Sequence, residues 1–251
     1  MRTDKNSWGR PFALCLLPLA FCPLSPGLRA TQPDSGVSGR GSAAIVQLLA
    51  VGPGTGGRKQ ECAATGFLVN EDGYILTNAH VVEDARRCLA ASPGAKLVAK
   101  LGDARVAQAV SCDVVALDEI HDLALLKTER ATAEPQAFLE LIAEPVAEGT
   151  SVAVTGHTAF SWRAQTQLGK VLRRLKLALD EKSKEPSDVL LLDIPLARGA
   201  SGSPAYLPSS GQVLGVVSRQ NPGRRFDTVA IPIRYAIELL DGHGIRWHRA
   251  R

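Results

Sequence analysis

The sequence predicts an all-β fold, and three observations carry that reading. Short apolar runs recur at 44–49, 66–69, 74–77, 114–117, 123–126, 152–155, 189–192, 213–217 and 229–231, separated by turn-forming residues. That is the spacing of strands in a barrel or sandwich. Between the second and third runs, Asn70-Glu71-Asp72-Gly73 offers an Asp-Gly pair, whose positive φ angles suit a tight hairpin. No strand pattern alternates with long amphipathic helices, which argues against a parallel α/β sheet. One helix is expected, over 233–240, with Gly242 as its stop. The polar stretch 178–187 reads as a surface loop. A chain of 251 residues is long enough to bury one large core or two small ones.

Composition excludes several classes. A hydrophobic content of 45% is that of an ordinary globular protein, so neither wholesale disorder nor a multispanning membrane protein is indicated. The net charge is +4, but +3 of it falls in residues 1–30, where Arg2, Lys5, Arg10 and Arg29 face only Asp4. The remainder is too nearly neutral to argue for a nucleic-acid partner.

The N-terminus has the layout of an export signal over residues 1–30. A basic stretch precedes the apolar run 11–21, and Leu28-Arg29-Ala30 supplies a small-residue cleavage point. A membrane anchor fits less well, because the run falls short of the ~20 residues a spanning helix needs and Pro18 interrupts it. Lipid attachment at Cys22 is disfavoured by bulky Phe21 before it. The chain is therefore expected to be exported, periplasmic or secreted, with no stable membrane span after cleavage. Residues 31–42, rich in Gly, Ser and Pro, read as a flexible lead-in. An oxidising compartment permits disulfides. Cys62, Cys88 and Cys112 remain after signal removal, so at most one intrachain bridge forms and three pairings are open. No cysteine pair has metal-ligand spacing, and neither a metal nor a cofactor is expected.

Three segments carry chemistry. Gly66-Phe67-Leu68-Val69 and Tyr74-Ile75-Leu76-Thr77-Asn78-Ala79-His80-Val81-Val82 form a hairpin that ends on a histidine. His121-Asp122-Leu123-Ala124-Leu125-Leu126-Lys127 puts an acid at the mouth of an apolar strand. Gly199-Ala200-Ser201-Gly202-Ser203-Pro204 puts a serine in a turn bounded by glycines. Amide hydrolysis by serine needs a nucleophile, a base to take its proton, and a buried acid that holds the base in one tautomer. The glycines let backbone N–H groups converge on the developing oxyanion.

These segments resemble the trypsin-like (chymotrypsin-fold) serine peptidases, and within them most closely the HtrA/Deg branch. That branch shows Leu-Thr-Asn-Xaa-His-Val-Val, Asp-Leu-Ala-Leu/Val-Leu, and an Asp eight residues before the Ser of Gly-Asn-Ser-Gly-Gly. Here Leu76 to Val82, Asp122 to Leu126, and Asp193 before Ser201 match. So do 211–217 and 229–233, and the likeness covers about 42–240. The order His, Asp, Ser is that of this fold and not of subtilisins or α/β-hydrolases.

The resemblance implies two antiparallel β-barrels, about 42–142 and 146–232, within a peptidase domain at 42–240. A C-terminal helix and tail would follow at 233–251. It implies a serine endopeptidase acting on polypeptide substrates through an acyl-enzyme. His80, Asp122 and Ser201 would form the triad, with an oxyanion hole from the Gly199 and Ser201 N–H groups. Ser218 would support Asp122, and Pro195, Arg198, Gln220 and Thr228 would line the specificity pocket. That pocket is expected to be shallow and largely uncharged, favouring small aliphatic residues before the cut.

The departures are as informative. Ala200 stands where trypsin has an aspartate that pairs with a new N-terminus, so activation of that kind is not expected. Ser203 replaces the second glycine of the Ser-Gly-Gly run. The PDZ domains that follow the peptidase in that branch are not expected before Arg251.

Plainer readings exist for the remaining residues. His121 reads as a surface residue, His157 as a loop residue near the cleft, and Trp162 and Trp247 as packing residues. Two other functions compete. One is a trypsin-like fold that binds without cleaving, although such proteins usually lose a triad member. The other is an α/β-hydrolase esterase using Ser201, Asp227 and His243 or His248, although Ser203 breaks its motif and Pro204-Ala205-Tyr206-Leu207-Pro208 is no helix start.

Overall fold

The computed structural model describes residues 40–52, 59–90, 94–101, 108–129, 137–158, 163–179, 185–195, 197–220 and 227–250. Twelve named strands close into two six-stranded antiparallel barrels. The first holds β1 (Ile45–Gly52), β2 (Lys59–Leu68), β3 (Tyr74–Thr77), β4 (Lys96–Leu101), β5 (Gln108–Asp118) and β6 (Leu123–Thr128), in the order β1-β2-β3-β6-β5-β4. The second holds β7 (Ser151–His157), β8 (Ala164–Leu177), β9 (Ser187–Leu192), β10 (Pro204–Tyr206), β11 (Val213–Gln220) and β12 (Thr228–Pro232), in the order β10-β11-β12-β9-β8-β7. Closure removes the exposed sheet edges that would otherwise template aggregation. The all-β, two-barrel expectation holds.

The apolar runs become the barrel walls because both of their faces are buried, one toward the barrel interior and one against neighbouring elements. Phe67, Leu68, Ile75, Leu76, Leu125 and Leu126 are all buried in the first barrel's walls, while Val152, Leu190, Leu192 and Val217 pack together in the second. The β2–β3 hairpin pairs Phe67 with Leu76 and Leu68 with Ile75. Of its Asp72-Gly73 pair, only Gly73 takes a positive φ, +86°.

The sequence reading missed five elements. β8 is largely solvent-exposed and polar, β4 carries lysines at Lys96 and Lys100 that interrupt its apolar residues, and β10 is short and opens on a proline. A second long helix, α2 (Ala79–Ala90), follows β3 and buries only Ala79, Val81, Val82 and Ala85. These small side chains make a weak hydrophobic stripe. A four-residue helix, α1 (Arg40–Ala43), occupies the end of the segment read as flexible lead-in. The proposed signal, at 1–30, lies outside the described residues. The C-terminal helix α3 (Ile233–Gly242) is present, but the left-handed glycine beyond it is Gly244, φ +66°, and not Gly242.

Cys88 is disulfide-bonded and Cys112 is a free, buried thiol. Both pairings that involve Cys112 are thereby excluded. Burial pushes the Cys112 thiol up to about 12, which keeps it protonated and unreactive.

The barrels are joined near their ends. The tail after α3 returns to the first barrel, where Arg246 O accepts from Asn70 Nδ2 at 2.7 Å and His248 Nε2 lies 2.7 Å from Glu71. Thr65 fastens the first barrel to the second: its N–H donates to Ser201 O at 2.9 Å and its Oγ1 to Gly199 O at 2.9 Å.

Candidate active site

His80 owes its place to the end of β3. The strand stops at Thr77, and α2 begins at Ala79, so the histidine sits in the first helical turn with its neighbours Ala79, Val81 and Val82 buried. α2 has no acidic residue in its own first turn. Asp122 supplies that charge from another strand, accepting the His80 backbone N–H at 3.0 Å. A carboxylate at a helix N-terminus is stabilised by the unpaired amides there.

Asp122 ends the turn before β6 and is the only non-glycine residue with positive φ among those described, at +52°. Aspartate tolerates this region better than most side chains. Leu123, fully buried, anchors the strand that follows, and Asn78 Nδ2 donates to the Asp122 carbonyl at 2.9 Å. The carboxylate is buried and fully engaged. His80 Nδ1 lies 3.0 Å from Oδ1 and 2.9 Å from Oδ2, and Ser218 Oγ donates to Oδ2 at 2.6 Å. With Nδ1 held this way, Nε2 is the nitrogen left for proton transfer.

Ser201 stands in a turn that only glycine allows. Gly199 and Gly202 have φ of +94° and +83°. A Cβ on Gly202 would lie 2.0 Å from the Thr65 carbonyl oxygen and 2.3 Å from Thr77 Oγ1. The side-chain-free residue is therefore what permits the two barrels to approach beside the serine. Ala200 N–H is taken by Ala197 O, whereas the Gly199 and Ser201 N–H groups donate to no acceptor among the described residues. They are the two amides available to an anionic oxygen.

Ser201 Oγ donates to the Ser218 carbonyl at 2.9 Å and makes no hydrogen bond to His80 in this arrangement. Ser218 thus holds the serine through its backbone and Asp122 through its side chain. Ser201 and His80 line one cavity of ≈ 390 Å³.

Burial pulls the His80 pKa down, but the hydrogen bond and charge of Asp122, with Asp84 adding, outweigh it, and the net shift is upward.

Of the residues expected to line the specificity pocket, Gln220 and Thr228 stand together at the β11–β12 end. Gln220 pairs with Thr228 across the strands, and both Gln220 and Pro195 are exposed. Thr228 is fully buried, and its hydroxyl donates to the Ile194 carbonyl. Arg219 is tied to the carbonyls of Ala178 and Leu179, while Arg198 is exposed and lines the cavity with His80.

Several readings need correction. His121 is no surface residue: its side chain is 22% exposed, lies 2.6 Å from Asp118 and stacks on Tyr235 of α3 at 3.7 Å between ring centroids. His157 is the last residue of β7, is buried, and donates its N–H to Thr65 Oγ1 at 2.9 Å. Ser203 is accommodated because its neighbour is Gly156, where a Cβ would come within 1.9 Å of Ser203 Oγ. The esterase reading fails because β10 follows Ser201 where a helix is needed. His243 Nδ1 also faces the Leu239 carbonyl, and His248 faces Glu71. Trp247 packs against the core and bonds Asp241. Trp162 lies outside the described residues.

Thr65 and Asn78 escaped the sequence reading as functional residues. For Thr65 the sequence offered only a hydroxyl set among Ala63, Ala64, Gly66 and Phe67; its full burial, which demands partners, shows in the structure.

Comparison with known proteins agrees with this geometry. The family described as "Trypsin-like peptidase domain" matches residues 64–216. A protein of Pseudomonas fulva named a probable periplasmic serine endoprotease DegP-like is 29% identical over 194 residues, covering 75% of this chain and 36% of that protein. Its namesake in Chlamydia trachomatis is 32% identical over 152 residues, covering 61% and 27%. The chain thus spans about a third of the length of such curated relatives. The crystal structure of the Rv3671c protease from M. tuberculosis, active form, superposes with a TM-score of 0.65 at 21% identity. The match covers 94% of this chain and 97% of that one and shows a shared fold. From residue 64 to residue 216, and through the two barrels that enclose the site, the chain belongs to the trypsin-like peptidase domain family.

Proposed function

We propose that the protein is a serine endopeptidase that hydrolyses peptide bonds in polypeptide substrates through an acyl-enzyme on Ser201. The observation that carries this is the arrangement Ser218–Asp122–His80, with bonds of 2.6 and 2.9 Å, beside a serine whose own N–H and that of Gly199 donate to no acceptor among the described residues. Each group has a role in that chemistry. Substrate enters with its scissile carbonyl over Ser201, and the hydroxyl leaves Ser218 O for His80 Nε2. His80 accepts the serine proton as Oγ attacks, and Asp122 steadies the imidazolium that forms. Gly199 and Ser201 N–H receive the oxyanion. His80 then returns the proton to the leaving amine, and water repeats the sequence in reverse.

Residue preference before the cut follows from Thr228, whose side chain is turned into the Ile194 carbonyl and fills space at the end of β12. A shallow, uncharged pocket favours Ala or Val. The export expectation is supported by relatives named periplasmic. Among the described residues no helix is long and apolar enough to cross a membrane.

The experiment is hydrolysis of an unfolded protein and of a peptide library by the protein and by Ser201→Ala. Cleavage that disappears in the variant supports the reading. Full cleavage by Ser201→Ala removes it, and peptide binding without cleavage by the unsubstituted protein would favour a binding module.

A further inference from the structure

The cavity that His80 and Ser201 share extends to one side of the site only. Its floor is built by the first barrel and its helix: Leu48 on β1, Ala64 on β2, Val81 and Ala85 on α2, and Leu97 on β4. The second barrel contributes Arg198, Gly199 and Ser201 at the mouth. Of the four residues expected to face the residue before the cut, Pro195, Gln220 and Thr228 do not line it, and Arg198 stands only at its mouth. His80 stands between these two regions, and its proton goes to the nitrogen of the departing half of the substrate. The cavity therefore lies on the leaving-group side.

Resting on the peptidase reading above, we propose that this cavity is a binding pocket for the residue that follows the cut, and that it selects a large apolar side chain there. Room exists because alanines stand where strands and helix face each other: Ala50, Ala64 and Ala85 are all buried lining residues. At ≈ 390 Å³ the space is within the range of small-ligand sites and exceeds a single leucine side chain. Among the described residues the floor side chains are apolar, so a charged residue entering there would lose its water without compensation from them. Charge is confined to the rim. Asp84 is ion-paired with Arg87 at 2.8 Å in an exposed pair, and Arg198 stands with the serine turn, so the mouth carries both signs. An aliphatic or aromatic side chain gains by burial and meets no opposing charge.

The test isolates the leaving-group side by aminolysis. An acyl-enzyme is formed from one ester substrate, and amino-acid amides compete with water for it. In each capture the ester bond to Ser201 Oγ breaks and a new amide C–N bond forms. The proton lost by the amine passes through His80 back to Oγ. Because the acyl half is the same throughout, only the pocket on the leaving side distinguishes leucinamide, phenylalaninamide, glycinamide, aspartic acid amide and lysinamide. The expected result is capture by leucinamide or phenylalaninamide at least about tenfold above glycinamide and above both charged amides. Filling the space with Ala85→Leu, or at the half-buried rim with Ala63→Leu should the first variant not fold, brings the leucine-to-glycine ratio towards one. Equal capture of leucinamide and glycinamide, or a preference for a charged amide, overturns the inference while leaving the peptidase reading intact. Failure to form any acyl-enzyme overturns both.

Discussion

Ser218→Ala removes the shortest hydrogen bond to the buried carboxylate and leaves the rest of the site in place. Ser218 is 2% exposed and Asp122 9%, so water cannot replace the lost donor on Oδ2. A hydrogen bond to a charged group contributes about 1.5–3 kcal/mol. For a domain of this size each kcal/mol shifts Tm by about 2–4 °C. The variant should therefore melt about 3–12 °C lower in a calorimetric scan at pH 8. Asp122 keeps both contacts with His80 Nδ1 and the one with its backbone N–H, so activity persists. If the lower end of that loss is felt as misplacement of the carboxylate in the transition state, kcat/KM falls about tenfold. KM should be nearly unchanged, since the Ser218 side chain faces Asp122 and not the substrate. An unchanged Tm together with an unchanged kcat/KM would refute the claim that this hydroxyl holds the acid in position.

The raised pKa of His80 places the acid limb of the kcat/KM profile above the ~6.5 of a free imidazole, because the protonated ring cannot accept from serine. Asp122→Asn removes both of the upward influences that come from Asp122 and leaves burial, the largest influence, against the smaller pull of Asp84, so the limb should move down while the rate drops about 10⁴-fold; a pH–rate series checks both. The same shift stabilises the fold fully below the unfolded pKa and ceases to do so as pH rises through the folded one, which pH-dependent denaturation of His80→Ala against the parent would show. Gly202→Ala puts a methyl against Thr65 O at 2.0 Å in a left-handed conformation that itself costs about 1–2 kcal/mol; loss of activity with a lowered Tm is expected. Ser203 Oγ is buried and finds no partner among the described residues, so Ser203→Ala should raise stability in urea by about 1 kcal/mol.

What the sequence made legible was whatever is encoded locally. Strands buried on their inner face announce themselves as apolar runs, and the histidine, aspartate and serine segments each carry their own spacing. What escaped depends on contacts between distant segments. β8 was missed because residues such as Lys170, Arg173 and Arg174 face solvent and break the apolar signal. α2 was missed because a helix packed closely on strands buries alanine and valine in place of leucine. His121 looked like a surface residue because the ring that covers it, Tyr235, lies far along the chain. The cavity beside His80 has no sequence signature at all, since it arises from three alanines on three different elements.

Covalent capture of the nucleophile tests the central claim most directly. The protein is treated with a fluorophosphonate at pH 8, digested, and the modified serine located by mass spectrometry. The account predicts a single adduct on Ser201, absent in His80→Ala because the unassisted hydroxyl reacts too slowly. An adduct on any other serine, or equal labelling of His80→Ala, would contradict it.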